Sequence, residues 1–104
     1  MKEKYSRVIE AIKLSPVKIA IVRLLKGSPH IMDTLRGLAS WAFVPIERAA
    51  PEVEDLVSLG VLSKYGEGPG AVYRYTTDER LRECVNCYWG EIEQARADMH
   101  RRGL

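Results

Sequence analysis

Apolar residues recur at helical spacing through the first half of the chain. Tyr5, Val8, Ile9 and Ile12 fall three and four apart within residues 3–14 and share one helix face. Ser15-Pro16 follows, a good N-cap ahead of the residue type that suits a first helical position. A second helix is expected from Pro16 to about Lys26, with Val17, Ala20, Ile21, Leu24 and Leu25 as its stripe. Gly27 ends it and Ser28-Pro29 turns the chain. A third helix fits Met32 to Ala42, with Leu35, Leu38, Ala39 and Ala42 inward. A fourth follows Val44-Pro45 and ends at Gly60, its apolar positions being Ala49, Val53, Leu56, Val57 and Leu59. Pro51 lies inside this fourth segment. Proline there removes a backbone bond and clashes with the preceding turn, so a kink or a fresh start at Pro51 is expected.

The period then changes. Val61 to Tyr65 and Ala71 to Tyr75 are β-rich runs flanking the glycine-rich Gly66-Glu67-Gly68-Pro69-Gly70, which reads as a hairpin. Thr76 and Glu79 have the spacing of a capping box and open a last helix from about Thr77 to Arg102. Within it Leu81, Val85, Tyr88, Ile92, Ala95 and Met99 alternate four and three apart, a heptad seam. A helix this long projects beyond its domain and needs a partner chain for its apolar face. A homodimer is therefore expected, with Tyr5 and Ile9 of the first helix as further contributors. An amphipathic helix folded onto its own domain would show the same stripe. The fold expected is mainly α with a small antiparallel hairpin, in one domain: an N-terminal helix (1–14), a core (16–76) and a long C-terminal dimerisation helix (77–102).

A length of 104 residues fits a single domain, and 46% hydrophobic with 29% charged residues is ordinary for a folded soluble protein. No apolar run approaches the roughly 20 residues needed to span a bilayer. The first dozen residues alternate charged and apolar types, unlike a signal peptide, so a cytoplasmic location without membrane contact is expected. The net charge of +2 says little, but its distribution says more. Residues 1–26 carry seven cations against Glu3 and Glu10, a local balance of +5. Residues 44–60 carry Arg48 against Glu47, Glu52, Glu54 and Asp55, a balance of −3.

Three helices followed by a hairpin with a glycine-rich tip resemble the winged helix-turn-helix proteins, and the likeness is close from Leu38 onward. Leu38-Ala39 is similar to the family's Leu-Ala in the second helix of its helix-turn-helix. Leu56, Leu59, Gly60, Val61 and Leu62 are similar to its Leu-x-x-Leu-Gly-x-Leu, where glycine ends the recognition helix and the wing begins. Tyr73-Arg74-Tyr75-Thr76 is similar to the second wing strand. ArsR-, MarR- and PadR-type bacterial regulators share this layout, and the match covers residues 16–78. The resemblance implies a DNA-binding transcriptional regulator. Its recognition helix from Pro45 to Gly60 enters the major groove, its wing touches the backbone, and its dimer places half-sites about one DNA turn apart.

Carried onto this chain, the resemblance assigns DNA contact to Arg48, Lys64 and Arg74, with Ile46, Glu47 and Ala50 on the same face. The residue types there depart from what DNA reading uses. Base contact favours Arg, Lys, Asn, Gln, Ser or Thr, and phosphate contact favours positive charge, amides or hydroxyls. This face offers carboxylates and small apolar groups, and Glu47 and Glu54 repel phosphate. The alternative is a winged-helix protein-interaction module that uses the Ile46–Glu54 face against a protein and does not bind DNA.

Other residues with chemistry point to packing. Cys84 and Cys87 share a helix face, but a metal centre needs about four ligands, and His100 lies 13 residues beyond Cys87, about 20 Å along the helix. They read as reduced, partly packed thiols, the alternative being a metal or redox-sensing site that pools cysteines from two chains. His30 reads as a turn residue, and Trp41 and Phe43 as core packing between the two central helices. No phosphate loop precedes a helix and no His–carboxylate pair has metal spacing. Neither catalysis, a metal nor a cofactor is expected.

Overall fold

The computed structural model describes residues 2–103. In chain order these form α1 (Lys2–Lys13), α2 (Pro16–Gly27), β1 (Met32–Thr34), α3 (Leu35–Ala42), α4 (Ile46–Ser58), β2 (Leu62–Tyr65), a 3-10 turn at Gly68–Gly70, β3 (Val72–Tyr75), α5 (Glu79–Cys87) and α6 (Trp89–Arg101). The fold is mainly helical with one small antiparallel sheet of strand order β1-β3-β2. The sheet has a strand more than the expected hairpin. Met32 to Thr34, read as the start of the third helix, pairs instead with Arg74, Tyr73 and Val72. Helix α3 begins only after Thr34, whose side chain accepts from the Gly37 amide and caps it.

Helix α2 is the centre of the molecule. Ser15 caps it by accepting from the Lys18 amide at 3.1 Å. The expected stripe is too narrow: Ile19 and Val22 are fully buried as well, while Ala20 and Leu24 are only half-buried. A helix packed against α1, α3, α4 and α6 needs apolar residues nearly all round. Lys18 is buried among them. Its Nζ donates to Glu52 at 2.6 Å and to Asp55 at 3.2 Å, both on α4, and the Ser15 hydroxyl donates to the same Glu52 oxygen at 3.0 Å.

Helix α4 runs unbroken through Pro51. The missing N–H costs one intrahelical bond near the start of the helix, and packing of the buried Ala49, Val53 and Leu56 carries the helix past it. The helix ends as expected at Gly60, whose φ of 82° places it in the left-handed region while the Val61 amide reaches back to Leu56 O at 2.9 Å. Helix α3 ends in the same motif with Phe43 where α4 has glycine. Phe43 has φ 58° and ψ 43°, and the Val44 amide reaches back to Ala39 O at 2.9 Å.

The C-terminal segment differs from the long single helix expected. Asp78, not Thr76, is its N-cap, accepting from the Arg80 and Leu81 amides, while Thr76 Oγ1 accepts from Asp78 N. The segment then breaks at Tyr88 (φ −98°, ψ 9°) into α5 and α6. Helix α6 packs against α1 and α2, and Ile92 is buried there. Arg23 on α2 holds α6 through Glu93, with Nε donating at 3.1 Å. Leu81, Val85 and Ile92 are thereby buried in the chain's own core together with Ile9.

Phe43 holds a strained backbone conformation without burying its ring. A non-glycine residue in this region is disfavoured by roughly 1–2 kcal/mol. Phe43→Gly is expected to raise the unfolding free energy by about 0.5–1 kcal/mol, the gain being trimmed by glycine's extra freedom in the unfolded chain. Urea denaturation of the two proteins checks this; a loss of stability would show that the ring makes contacts that hold the corner.

Candidate nucleic-acid interface

The outward surface of α4 is fixed by its inward one. Ala49, Val53 and Leu56 enter the core, and Glu52 and Asp55 turn toward Lys18. Glu47, Arg48, Pro51 and Glu54 are left exposed, with Ile46 and Ala50 half-buried beside them. Arg48 points to solvent and makes no ion pair among the described residues. So does Arg36 on α3. Sequence reasoning passed over Arg36, although its place next to inward-facing Leu35 puts it on the outer face. Arg36, Ile46, Glu54, Lys64 and Pro69 line a groove of about 390 Å³ between α3, α4 and the hairpin.

Lys64 lies in this groove but is already engaged. Its Nζ donates to Glu54 at 3.1 Å and sits 5.9 Å from the Tyr73 ring centre, and the Tyr73 hydroxyl donates to the same Glu54 oxygen at 3.3 Å. The hydrogen bond to Glu54 raises the Lys64 pKa, with Tyr73 adding to it, so the amine stays charged beside its carboxylate. Such a partly exposed pair is screened by solvent, yet it presents no net charge to an incoming phosphate.

Arg74 does not join Lys64. In the sheet register Lys64 stands opposite Tyr73, while Arg74 stands between Ser63 and Met32. Alternate residues of a strand point to opposite faces. The buried Tyr73 and Tyr75 mark the inner face, so Arg74 lies on the outer face with Met32, Ser63, Val72 and Tyr65. The residues assigned to DNA contact by resemblance are thus divided: Ile46 and Lys64 line the groove, Glu47, Arg48 and Ala50 lie on α4 outside its lining, and Arg74 is behind the sheet.

The corner between α3 and α4 corrects a second expectation. Trp41 is 64% exposed and Phe43 93% exposed, neither of them core. An eight-residue helix inserts only Leu38 and Ala39 fully, and the left-handed turn at Phe43 directs its ring outward. The heptad seam also has another partner than expected. Its Leu81, Val85 and Ile92, with Ile9, face α1 and α2 of the same chain. Tyr5, Ala95 and Met99 are half-buried, and Tyr88, at the break, is 46% exposed. Tyr5 Oη donates to Asp78 at 3.1 Å, tying α1 to the cap of α5.

Burial pushes the Cys84 thiol pKa up, with nearby Cys87 adding to it, the opposite of a thiolate poised to react. Among the described residues no group of three or more His, Cys, Asp or Glu side chains converges as a metal site, and no helix is long and apolar enough to cross a membrane. His30 sits in the turn after α2. No protein-family model, curated protein or solved structure matches the chain.

Three groups share one pH response. Burial works against the Lys18 charge, but hydrogen bonds to Glu52 and Asp55 outweigh it and raise the pKa above its ordinary 10.5. Burial also raises Tyr73, helped by Glu54, and Tyr75, against the opposing charge of Arg82. Each binds its proton more tightly folded than unfolded. Their stabilisation is present below the ordinary pKa and is lost as pH rises through the folded value. Urea midpoints are expected to hold from pH 7 to 9 and to fall above about pH 10, less steeply in Lys18→Met; a flat profile to pH 11 would contradict the buried pairing.

Proposed function

We propose that the chain is a winged helix-turn-helix module that docks onto a protein through α4 and the α3–α4 corner. The order α2-β1-α3-α4-β2-β3 and the sheet order β1-β3-β2 agree with the winged-helix layout that the motifs around Leu38 and Gly60 resemble. The observation that carries the protein reading is the Glu54–Lys64 pair: α4 neutralises the hairpin's groove-facing lysine with its own carboxylate. The same helix carries Glu47 and the small apolar Ala50 and Pro51, and the corner that leads into it exposes the rings of Trp41 and Phe43. Exposed aromatic side chains next to small apolar ones suit a protein partner, whereas carboxylates meeting phosphates are repelled. Cytoplasmic residence and a non-enzymatic role belong to the same proposal.

Duplex DNA is the second reading, favoured by Arg36 in the groove and Arg48 on α4, two exposed arginines without an ion-pair partner among the described residues. In that reading the chain acts as a homodimeric regulator with an α4 in each of two half-sites. With the heptad seam turned inward, a homodimer has to use the exposed side of α1 and the region of Tyr88.

Fluorescence anisotropy of a labelled duplex of about 30 base pairs separates the two, because phosphate-contacting dimers bind non-specifically in the micromolar range at about 50 mM salt and weaken steeply as salt rises. The folded protein is expected to show no such binding. Salt-sensitive micromolar binding that disappears in Arg36→Glu or Arg48→Glu would replace the protein reading with the DNA one.

A further inference from the structure

We infer that the notch between the ends of α2 and α3 is a docking site for an acidic peptide carrying one bulky apolar anchor. The inference rests on the reading of the chain as an interaction module and supplies the chemistry of a partner. The notch holds about 530 Å³ and is lined by Leu24, Gly27, Pro29, His30, Ile31 and Trp41. Its walls are mainly apolar, with His30 the polar side chain among those named, and it has room for a large apolar side chain. Trp41 stands at one wall with most of its ring in solvent. Tryptophan exposed next to an apolar hollow is the residue type that dominates binding energy at interfaces.

The charge around the notch selects the occupant. Arg82 on α5 reaches its rim: Nη2 donates to Pro29 O at 3.4 Å and Nε to Thr76 O at 2.6 Å, while the guanidinium lies 4.8 Å from the Tyr75 ring centre. These contacts fix the arginine in place, yet all are to carbonyls or a ring, and it has no carboxylate partner among the described residues. Arg74 stands directly across the sheet from Met32, which follows Ile31 of the notch and is half exposed. It too lacks an ion pair among the described residues. No carboxylate lines the hollow. The surface therefore offers an apolar socket with one cation, Arg82, fixed at its rim and a second, Arg74, on the neighbouring outer face of the sheet, and a peptide with Asp or Glu beside a Leu, Phe or Trp complements both features.

A second copy of the chain fits less well. Two copies meeting at this notch about a two-fold axis would bring Arg74 and Arg82 of one against the same residues of the other, a juxtaposition of like charges. Single-stranded nucleic acid would satisfy the arginines, but Leu24, Pro29 and Ile31 give the socket aliphatic walls where stacked bases need flat ones.

The test uses labelled nine-residue peptides with Asp/Glu flanks and a central Leu, Phe or Trp, matched peptides with Lys flanks, and labelled oligothymidine. Anisotropy is read together with amide and indole chemical shifts of the whole protein. At least one acidic peptide is expected to bind with Kd below about 100 μM and to shift the Trp41 indole and Ile31 amide signals. Trp41→Ala, at an exposed position that leaves the core intact, is expected to weaken it at least about tenfold. Arg74→Glu is expected to weaken it about fivefold or more, and the Lys-flanked peptides to bind at least about tenfold less tightly. No perturbation of Trp41 by any acidic peptide at millimolar concentration, equal binding of the Lys-flanked set, or oligothymidine binding in place of the peptides would each overturn the inference. Duplex anisotropy on the same protein reads the α4 face without the notch, so failure of the α4 reading and failure of the notch are separately visible.

Discussion

The fold depends on a charge placed where a central helix has no room for one. Helix α2 is surrounded by α1, α3, α4 and α6, and Lys18 sits within that enclosure. An amine there requires partners, and α4 supplies Glu52 and Asp55, three residues apart and so on one face. Buried ion pairs add little net stability over apolar packing, but they penalise every arrangement that separates the partners. The clamp therefore sets the rotation of α4 about its own axis. With Glu52 and Asp55 turned in beside Ala49, Val53 and Leu56, the residues Glu47, Arg48, Pro51 and Glu54 have nowhere to face but out.

That rotation accounts for the charge pattern of the surface. Two of α4's carboxylates are consumed by Lys18, and a third, Glu54, is consumed by Lys64 from the hairpin. The side of the sheet that meets α4 is left near neutrality. Arg74 on the outer face and Arg82 at the rim of the notch remain, neither matched by a carboxylate among the described residues. The exposed aromatics Trp41 and Phe43 lie at the corner joining α3 to α4, with Trp41 also forming a wall of the notch. On the proposed reading, a neutral, partly apolar helix face suits a protein surface better than a row of phosphates.

Much of the framework was legible in the chain. Ser15-Pro16, Gly60 and the two β-rich runs mark their boundaries because each acts through local backbone chemistry. What stayed hidden depended on contacts distant in sequence. Met32 to Thr34 continues the apolar pattern of α3 and becomes a strand only because β3, some forty residues on, offers it an edge. The heptad spacing of Leu81, Val85 and Ile92 is the same whether the stripe meets a second chain or α1 and α2, and the break at Tyr88 decides for the latter. Trp41 and Phe43 look like core by residue type, and only the left-handed turn at Phe43 sends that ring outward. Within the candidate site, the outward direction of Glu47 and Glu54 follows from helical periodicity. The separation of Lys64 from Arg74 was implicit in strand alternation, and the capture of Lys64 by Glu54 was not, because it needs α4 and the hairpin together.

The central claim is that α4's own carboxylates close this face to phosphate. The most direct measurement is duplex binding by the Glu47→Gln/Glu54→Gln double variant beside the parent protein, with low-salt affinity and its salt slope as readouts. Removing both charges frees Lys64 and leaves Arg36 and Arg48 unopposed, so the variant is predicted to gain salt-sensitive duplex binding in the micromolar range that the parent lacks. A folded double variant that binds no better than the parent would contradict the account, because something other than these two carboxylates would then be governing the face.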